Sequence, residues 1–179
     1  KEAGMQFLLD IFYSDTWTDP AQQWIPQSWN MDKATATNVL ADKVREYTIE
    51  SINALVEAGA SPDYVQIGNE VSYGMLWDNL SAKDESRHVV YLDPKWFTYE
   101  KQEAQIVRLA SLLGAAAEGV RASDAKDARI ILHIERSGEP ELARNFYKWV
   151  GKAGFTDYDI IGLSYYPFWH GNLNTLSST

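Results

Sequence analysis

Four short apolar runs recur along the chain, each too brief for a helix, and a helix-length amphipathic stretch follows each of the first three. The runs are residues 5–10 (MQFLLD), 64–68 (YVQIG), 129–134 (RIILHI) and 159–164 (DIIGLS). Apolar runs this short predict strands, and the first, 5–10, which ends in a carboxylate, suits a strand buried on both faces. Between the first two runs the spacing predicts a helix over 37–58, because Leu40, Val44, Thr48, Ile52 and Val56 recur at fourth positions and Gly59 can end it. A second helix is predicted over about 98–120, with Ile106, Leu109, Leu113, Ala117 and Val120 on one stripe. A third covers 139–150, with Pro140 in its first turn and Leu142, Phe146 and Val150 facing inward.

Alternation of this kind implies a parallel α/β sheet with right-handed crossovers. Two architectures satisfy it: a small open doubly wound sheet, or part of a (β/α)8 TIM barrel. Eight units at the observed spacing need roughly 400 residues, within the range of barrels with insertions. The loops after the first two strands, about 11–35 and 70–97, are long and aromatic, whereas those before strands are short and plain. A barrel with its working loops at the C-terminal face produces that asymmetry, and an open sheet can produce it too. Residues 176–179 (LSST) read as a frayed end.

Composition excludes several classes. With 16 basic and 25 acidic residues the net charge is −9, and no Lys/Arg cluster exists to track phosphates, so no nucleic-acid partner is expected. No cysteine is present, which removes disulfides, thiolate nucleophiles and Cys-ligated zinc. No run of 18 apolar residues exists, so no membrane insertion is expected. No signal-peptide pattern opens the sequence. GxGxxG, GxxxxGK[ST] and GxSxG are all missing, and no serine stands out as a nucleophile.

The sharpest feature is Glu70, which follows Gly68 and Asn69 at the end of the second strand. A carboxyl at such a tip is half shielded, and burial raises the pKa of a carboxyl, as a general acid requires. Asn69 can donate to a substrate hydroxyl. The ordinary alternative is a solvated Glu after a tight turn. Asp10 and Asp15 flank the first strand's end; one is expected to orient a ring or amide and the other to touch a ligand. Turn chemistry is the competing account of Asp15, and more so of Asp19 before Pro20. His133 and Glu135, at i and i+2, face one side. No third metal ligand accompanies them, so a histidine bonding a carboxylate or sugar hydroxyl is the better reading, and no metal or cofactor is expected. His88 sits in a charged loop and reads as exposed. Trp17, Trp77 and Trp169 each follow a strand end, as does Tyr165 in a run stiffened by Pro167. Flat rings beside hydrogen-bonding groups suit sugar rings; a small core beneath long loops is the alternative.

Three blocks then resemble glycoside hydrolase family 53, the endo-β-1,4-galactanases: LLDIFYSDTWTDP (8–20), VQIGNEVSYGMLW (65–77) and DIIGLSYYPFWHG (159–171). The resemblance covers nearly the whole chain. It implies a (β/α)8 barrel that cleaves internal β-1,4 links in galactan side chains of pectin, with residues 1–179 supplying the third to sixth βα units of one barrel domain. It makes Glu70 the acid/base and Asn69 the contact to the hydroxyl beside the anomeric carbon. It sets His133 and Tyr165 at the mouth of the fifth and sixth strands. The family's nucleophile, a Glu on the seventh strand, has no counterpart in these residues. The resemblance also implies a galactan or arabinogalactan partner and an extracellular or cell-envelope location. Members sometimes carry calcium, for which no dense run of oxygen ligands is present here. One departure stands out: Phe12 occupies a position where the family has His.

Retaining hydrolysis uses two carboxyl groups about 5–5.5 Å apart. Since Glu70 supplies one, these 179 residues alone are expected not to hydrolyse galactan. Two exposed sheet edges should make them associate. A mannanase or xylanase of the same clan, a non-catalytic galactan-binding barrel, and an unrelated open α/β domain are the competing readings.

Overall fold

The computed structural model describes residues 4–29, 36–78 and 88–179; the stretches of the two long predicted loops at 30–35 and 79–87 lie outside the described residues. The elements are β1 (Leu8–Ile11), α1 (Thr37–Glu57), β2 (Tyr64–Ile67), α2 (Glu103–Ala122), β3 (Arg129–Ile134), α3 (Pro140–Lys152), β4 (Ile160–Leu163), and two short helices, α4 (Pro167–His170) and α5 (Leu173–Ser178). All three strand pairings are parallel, and the strand order is β1-β2-β3-β4.

That order separates the two architectures. A doubly wound sheet reverses direction from a central strand and carries helices on both faces. Here each strand pairs with the next in sequence, and the two faces differ in chemistry. Val65, Ile67, Ile130, Leu132 and Ile134 share one core with Leu40, Val44 and Ile52 of α1, Ile106, Leu109 and Leu113 of α2, and Phe146 and Val150 of α3. The opposite face carries the alternate residues, among them Asp10, Gln66 and His133, with Asp10 opposite Gln66 and His133 opposite Gly162. A singly wound sheet with helices outside and polar groups inside is an arc of a (β/α) barrel.

Helices α1 and α2 pack closely at Gly119, where a Cβ would lie 2.7 Å from Thr48 Cβ and 2.9 Å from the Arg45 carbonyl oxygen. Thr48 is on the predicted α1 stripe although it is polar; its hydroxyl donates to the Val44 carbonyl and shares a 2.8 Å hydrogen bond with the buried Tyr13 hydroxyl.

Several boundaries differ from expectation. The first strand begins at Leu8 rather than residue 5: Met5 is exposed, and the Phe7 N–H donates to the Asp63 carboxylate, which turns the chain into the sheet. Helix α2 begins at Glu103 because Gln102 is held back, its amide exchanging hydrogen bonds with both backbone groups of Tyr91. Residues 176–178 are not frayed; they complete α5, whose N-terminus is capped by the Asn172 side chain accepting from the N–H groups of Asn174 and Thr175. Among the described residues no helix is long and apolar enough to cross a membrane. On the edge strands, Leu8 of β1 and Ile161 of β4 are exposed.

Candidate active site

The site lies at the C-terminal ends of the strands, and its backbone is strained there. Glu70 has φ 53° and ψ 48°, a left-handed conformation costing a non-glycine residue about 1–3 kcal/mol. Tyr13 and Leu76, in the loops after β1 and β2, also have positive φ. Gly68 has φ +89°, and a Cβ on it would sit 2.7 Å from Val71 Cγ1. The Gly68-Asn69-Glu70 turn is therefore compact, and the loop around it is tied on all sides. Gln23 Nε2 donates to the Asn69 carbonyl at 2.8 Å. Asn69 Nδ2 donates to the Thr18 carbonyl at 2.8 Å. From α2 the buried Arg108 guanidinium donates to the carbonyls of Met75 and Leu76 at 2.8 and 2.6 Å.

This conformation turns the Glu70 N–H toward Nδ1 of His133, 3.3 Å away. An N–H can only donate, so Nδ1 carries the lone pair and the ring proton sits on Nε2. Nε2 is 2.9 Å from Ser164 Oγ, and Ser164 Oγ donates to Glu70 Oε1 at 2.5 Å. The three residues thus close a ring of hydrogen bonds that begins at the backbone of Glu70 and ends on its carboxylate. Glu70, at the end of β2, reaches Ser164, at the end of β4, past β3. Gly162 opens the space: a Cβ there would meet His133 Cδ2 at 3.2 Å and Ile131 Cγ2 at 2.9 Å. Burial pushes the His133 pKa down to about 4, so the ring is neutral near pH 7.

Two further carboxyls face this ring. Asp10, on β1, is pushed up to about 6, chiefly by burial; a hydrogen bond from Gln66 opposes the shift and the Glu70 charge adds to it. Its Oδ1 is buried with no hydrogen-bond partner among the described residues. Glu135, past β3, is also raised by burial, against the pull of Arg136 and Ser72. Its Oε1 accepts from Ser72 Oγ at 2.6 Å and lies 2.8 Å from Arg136 Nε. Among the described residues no group of three or more His, Asp or Glu side chains is placed to hold a metal ion.

The sequence-predicted residues divide into three sets. Glu70, Asn69 and His133 meet at the strand tips, with Asn69 nearly covered. Trp17, Tyr165 and Trp169 line loops at the same end of the sheet. Trp17 is 65% exposed and Trp169 76% exposed, so both offer open faces. Phe12 stands edge-on to Trp17 with ring centroids 5.1 Å apart, bracing it. The Tyr165 hydroxyl donates to the Gly171 carbonyl. The remaining two do not present themselves as expected. Trp77 is 1% exposed, packed edge-on against Trp24 with Val89 beside it, and has no face free to stack. Asp15 accepts from the Gln27 N–H at 2.7 Å and so closes its own loop. His88 is likewise not the exposed side chain expected: it is largely covered, 3.6 Å from the buried Asp78. Asp19, accepting from the Ala21 N–H, performs the turn role expected of it.

Ser164 was invisible to motif reading. The signal available was parity: Gly162 and Ser164 fall on the face that His133 shares.

The family model of Glycosyl hydrolase family 53 matches residues 1–179, the whole chain. The chain belongs to that family. An uncharacterized protein of Niallia circulans is 39% identical over 98% of this chain and 43% of its own length. The arabinogalactan endo-beta-1,4-galactanase of Cellvibrio japonicus is 37% identical over 94% of this chain and 40% of its own length. A solved structure of fungal beta-1,4-galactanases superposes with a TM-score of 0.77 at 31% identity, covering 99% of this chain and 48% of that one. The chain therefore spans somewhat under half the length of the family members it matches, and the barrel arc is the part of the family fold that it contains.

Proposed function

We propose that residues 1–179 are the third to sixth βα units of a single (β/α)8 barrel domain, and that the assembled barrel is a retaining endo-β-1,4-galactanase acting on galactan or arabinogalactan side chains of pectin outside the cell. Glu70 is its acid/base. The observation that carries this reading is the Glu70 carboxylate itself: Oε1 is anchored by Ser164, while Oε2 makes no hydrogen bond among the described residues. A carboxyl fixed by one oxygen and open at the other is suited to delivering a proton to a leaving glycosidic oxygen, then removing one from the water that replaces it.

The second carboxylate, which attacks the anomeric carbon, belongs to the seventh strand in this reading. Asn69 retains a second amide hydrogen for the sugar hydroxyl next to the reacting carbon. Trp17 and Trp169 supply apolar faces for the C–H surfaces of galactose rings, and Tyr165 lines the same mouth. Trp77 and Asp15 act by holding loops rather than substrate.

The test uses the protein with its complete barrel, incubated with β-1,4-galactan, mannan and xylan, while reducing ends and the anomeric configuration of the first product are followed by NMR. Galactan cleaved internally, with β-configured products appearing first, supports the reading. Cleavage of mannan or xylan in preference moves the protein to another activity of the clan. Binding of galactan without new reducing ends makes it a non-catalytic barrel.

A further inference from the structure

The His133 and Ser164 side chains do more than fill space at the strand tips, because the polarity of their hydrogen bonds has one allowed direction. The Glu70 N–H must donate to Nδ1 of His133 at 3.3 Å. The imidazole is then an Nε2–H donor, and Ser164 Oγ, 2.9 Å away, accepts from it. The only proton left to Ser164 points at Glu70 Oε1, 2.5 Å off. Oε1 is consequently kept as an acceptor. A proton placed on Oε1 would have to donate to Ser164 Oγ, and the Ser164 hydroxyl proton would then turn away and lose its acceptor, so a neutral Glu70 keeps the Ser164 hydrogen bond when its proton is on Oε2.

We propose that Ser164 is a positioning residue that, oriented by His133, confines the acid proton of Glu70 to Oε2 and holds the carboxyl plane fixed between the two halves of the reaction. The inference rests on the reading of Glu70 as acid/base. The other titratable groups around Glu70 are Asp10 from β1, Glu135 with its partner Arg136 from the end of β3, and His133 itself. Neither of the two carboxyls is bonded to Glu70, so its orientation depends on Ser164. Gly162 supports the same role: a Cβ at this position would lie 3.2 Å from His133 Cδ2 and 3.3 Å from His133 Cβ, so the missing side chain leaves room for His133 beside β4.

The experiment compares Ser164→Ala and Ser164→Thr in the protein with its complete barrel, alongside Glu70→Gln. Removing a hydrogen bond to a carboxylate favours its protonated form. Ser164→Ala is therefore expected to move the basic limb of the kcat/KM profile up by about one pH unit and to lower kcat roughly ten-fold with KM little changed. Ser164→Thr, which keeps the hydroxyl, should restore both. A purely structural serine would lower the amount of folded enzyme and leave the limb where it was. If Glu70→Gln abolishes turnover while Ser164→Ala leaves the limb and kcat unmoved, the Ser164 proposal fails and the acid/base reading stands. If Glu70→Gln remains active, both fail. A readout independent of any variant is the 15N spectrum of His133 at neutral pH. A protonated Nε2 with an unprotonated Nδ1 supports the ring, and the opposite tautomer overturns it.

Discussion

The backbone N–H of Glu70 donates to Nδ1 of His133, a link between residues 63 positions apart that only the neutral imidazole can accept. The left-handed backbone at Glu70 aims that N–H, and burial keeps the ring uncharged down to about pH 4. Strain, desolvation and the orientation of the carboxylate are thus parts of one arrangement, and each can be perturbed separately.

Asp10 and His133 should oppose one another in the pH dependence of stability. The Asp10 pKa is raised from 3.8 to about 6, so the folded chain binds its proton more tightly than the unfolded one, and stability falls as pH rises through that window. The His133 pKa is lowered from 6.5 to about 4, so the folded chain binds its proton less tightly, and stability falls as pH drops from 6.5 toward 4. Each contribution is on the order of 3 kcal/mol, and their windows overlap, so they largely cancel. Asp10→Asn should expose the His133 slope, giving a protein that loses stability between pH 6.5 and 4. His133→Gln should expose the Asp10 slope, of opposite sign. Urea unfolding at several pH values reads both, and parallel profiles for the two variants would contradict the assignment.

The strain at Glu70 predicts a trade between stability and activity. Glu70→Gly, which relieves the left-handed backbone, should be more stable than Glu70→Ala by about 1 kcal/mol, while both are inactive. Gly68→Ala should lose about 1–3 kcal/mol, because φ is +89° and the new Cβ meets Val71. Thermal unfolding orders these variants, and equal melting temperatures for the two Glu70 variants would remove strain from the account.

Trp17 and Trp77 should respond in opposite ways. Trp77→Ala empties a site that is 1% exposed and should cost about 3–5 kcal/mol of stability. Trp17→Ala, at a ring 65% exposed, should change stability by less than about 1 kcal/mol and instead weaken galactan binding. Melting temperature and KM, measured on both variants, separate the two roles.

These two tryptophans also mark where sequence reading stopped. Both follow strand ends in aromatic loops, and nothing local distinguishes them. The difference is set by what the loop folds against: Trp24 and Val89 enclose Trp77, whereas Trp17 packs on Phe12 and stays 65% exposed. Helices and strands were legible because the stripe from Leu40 to Val56 and the apolar runs repeat at their own periods. Glu70 and His133 were legible because a polar residue at the tip of an apolar run is conspicuous. Arg108 and Ser164 were not. Arg108 is buried in α2 because loop carbonyls at Met75 and Leu76 await it, and Ser164 acquires its role only when β2 and β4 are brought together across β3.

The 179 residues by themselves should bind galactan weakly at most and release no reducing ends, since one carboxylate cannot both donate a proton and attack the anomeric carbon. Sustained turnover by this polypeptide, abolished by Glu70→Gln, would show that Asp10 or Glu135 supplies the second group and would replace the seventh-strand assignment.

Glu70→Gln in the protein with its complete barrel is the most direct test. Glutamine keeps the size of the side chain and leaves an oxygen to accept from Ser164, so the fold and the ring survive while the transferable proton is lost. The expected result is a fall in galactan hydrolysis of about 10²–10⁴-fold with an unchanged melting temperature. Activity within a few-fold of the parent protein would contradict the assignment of Glu70 as the acid/base.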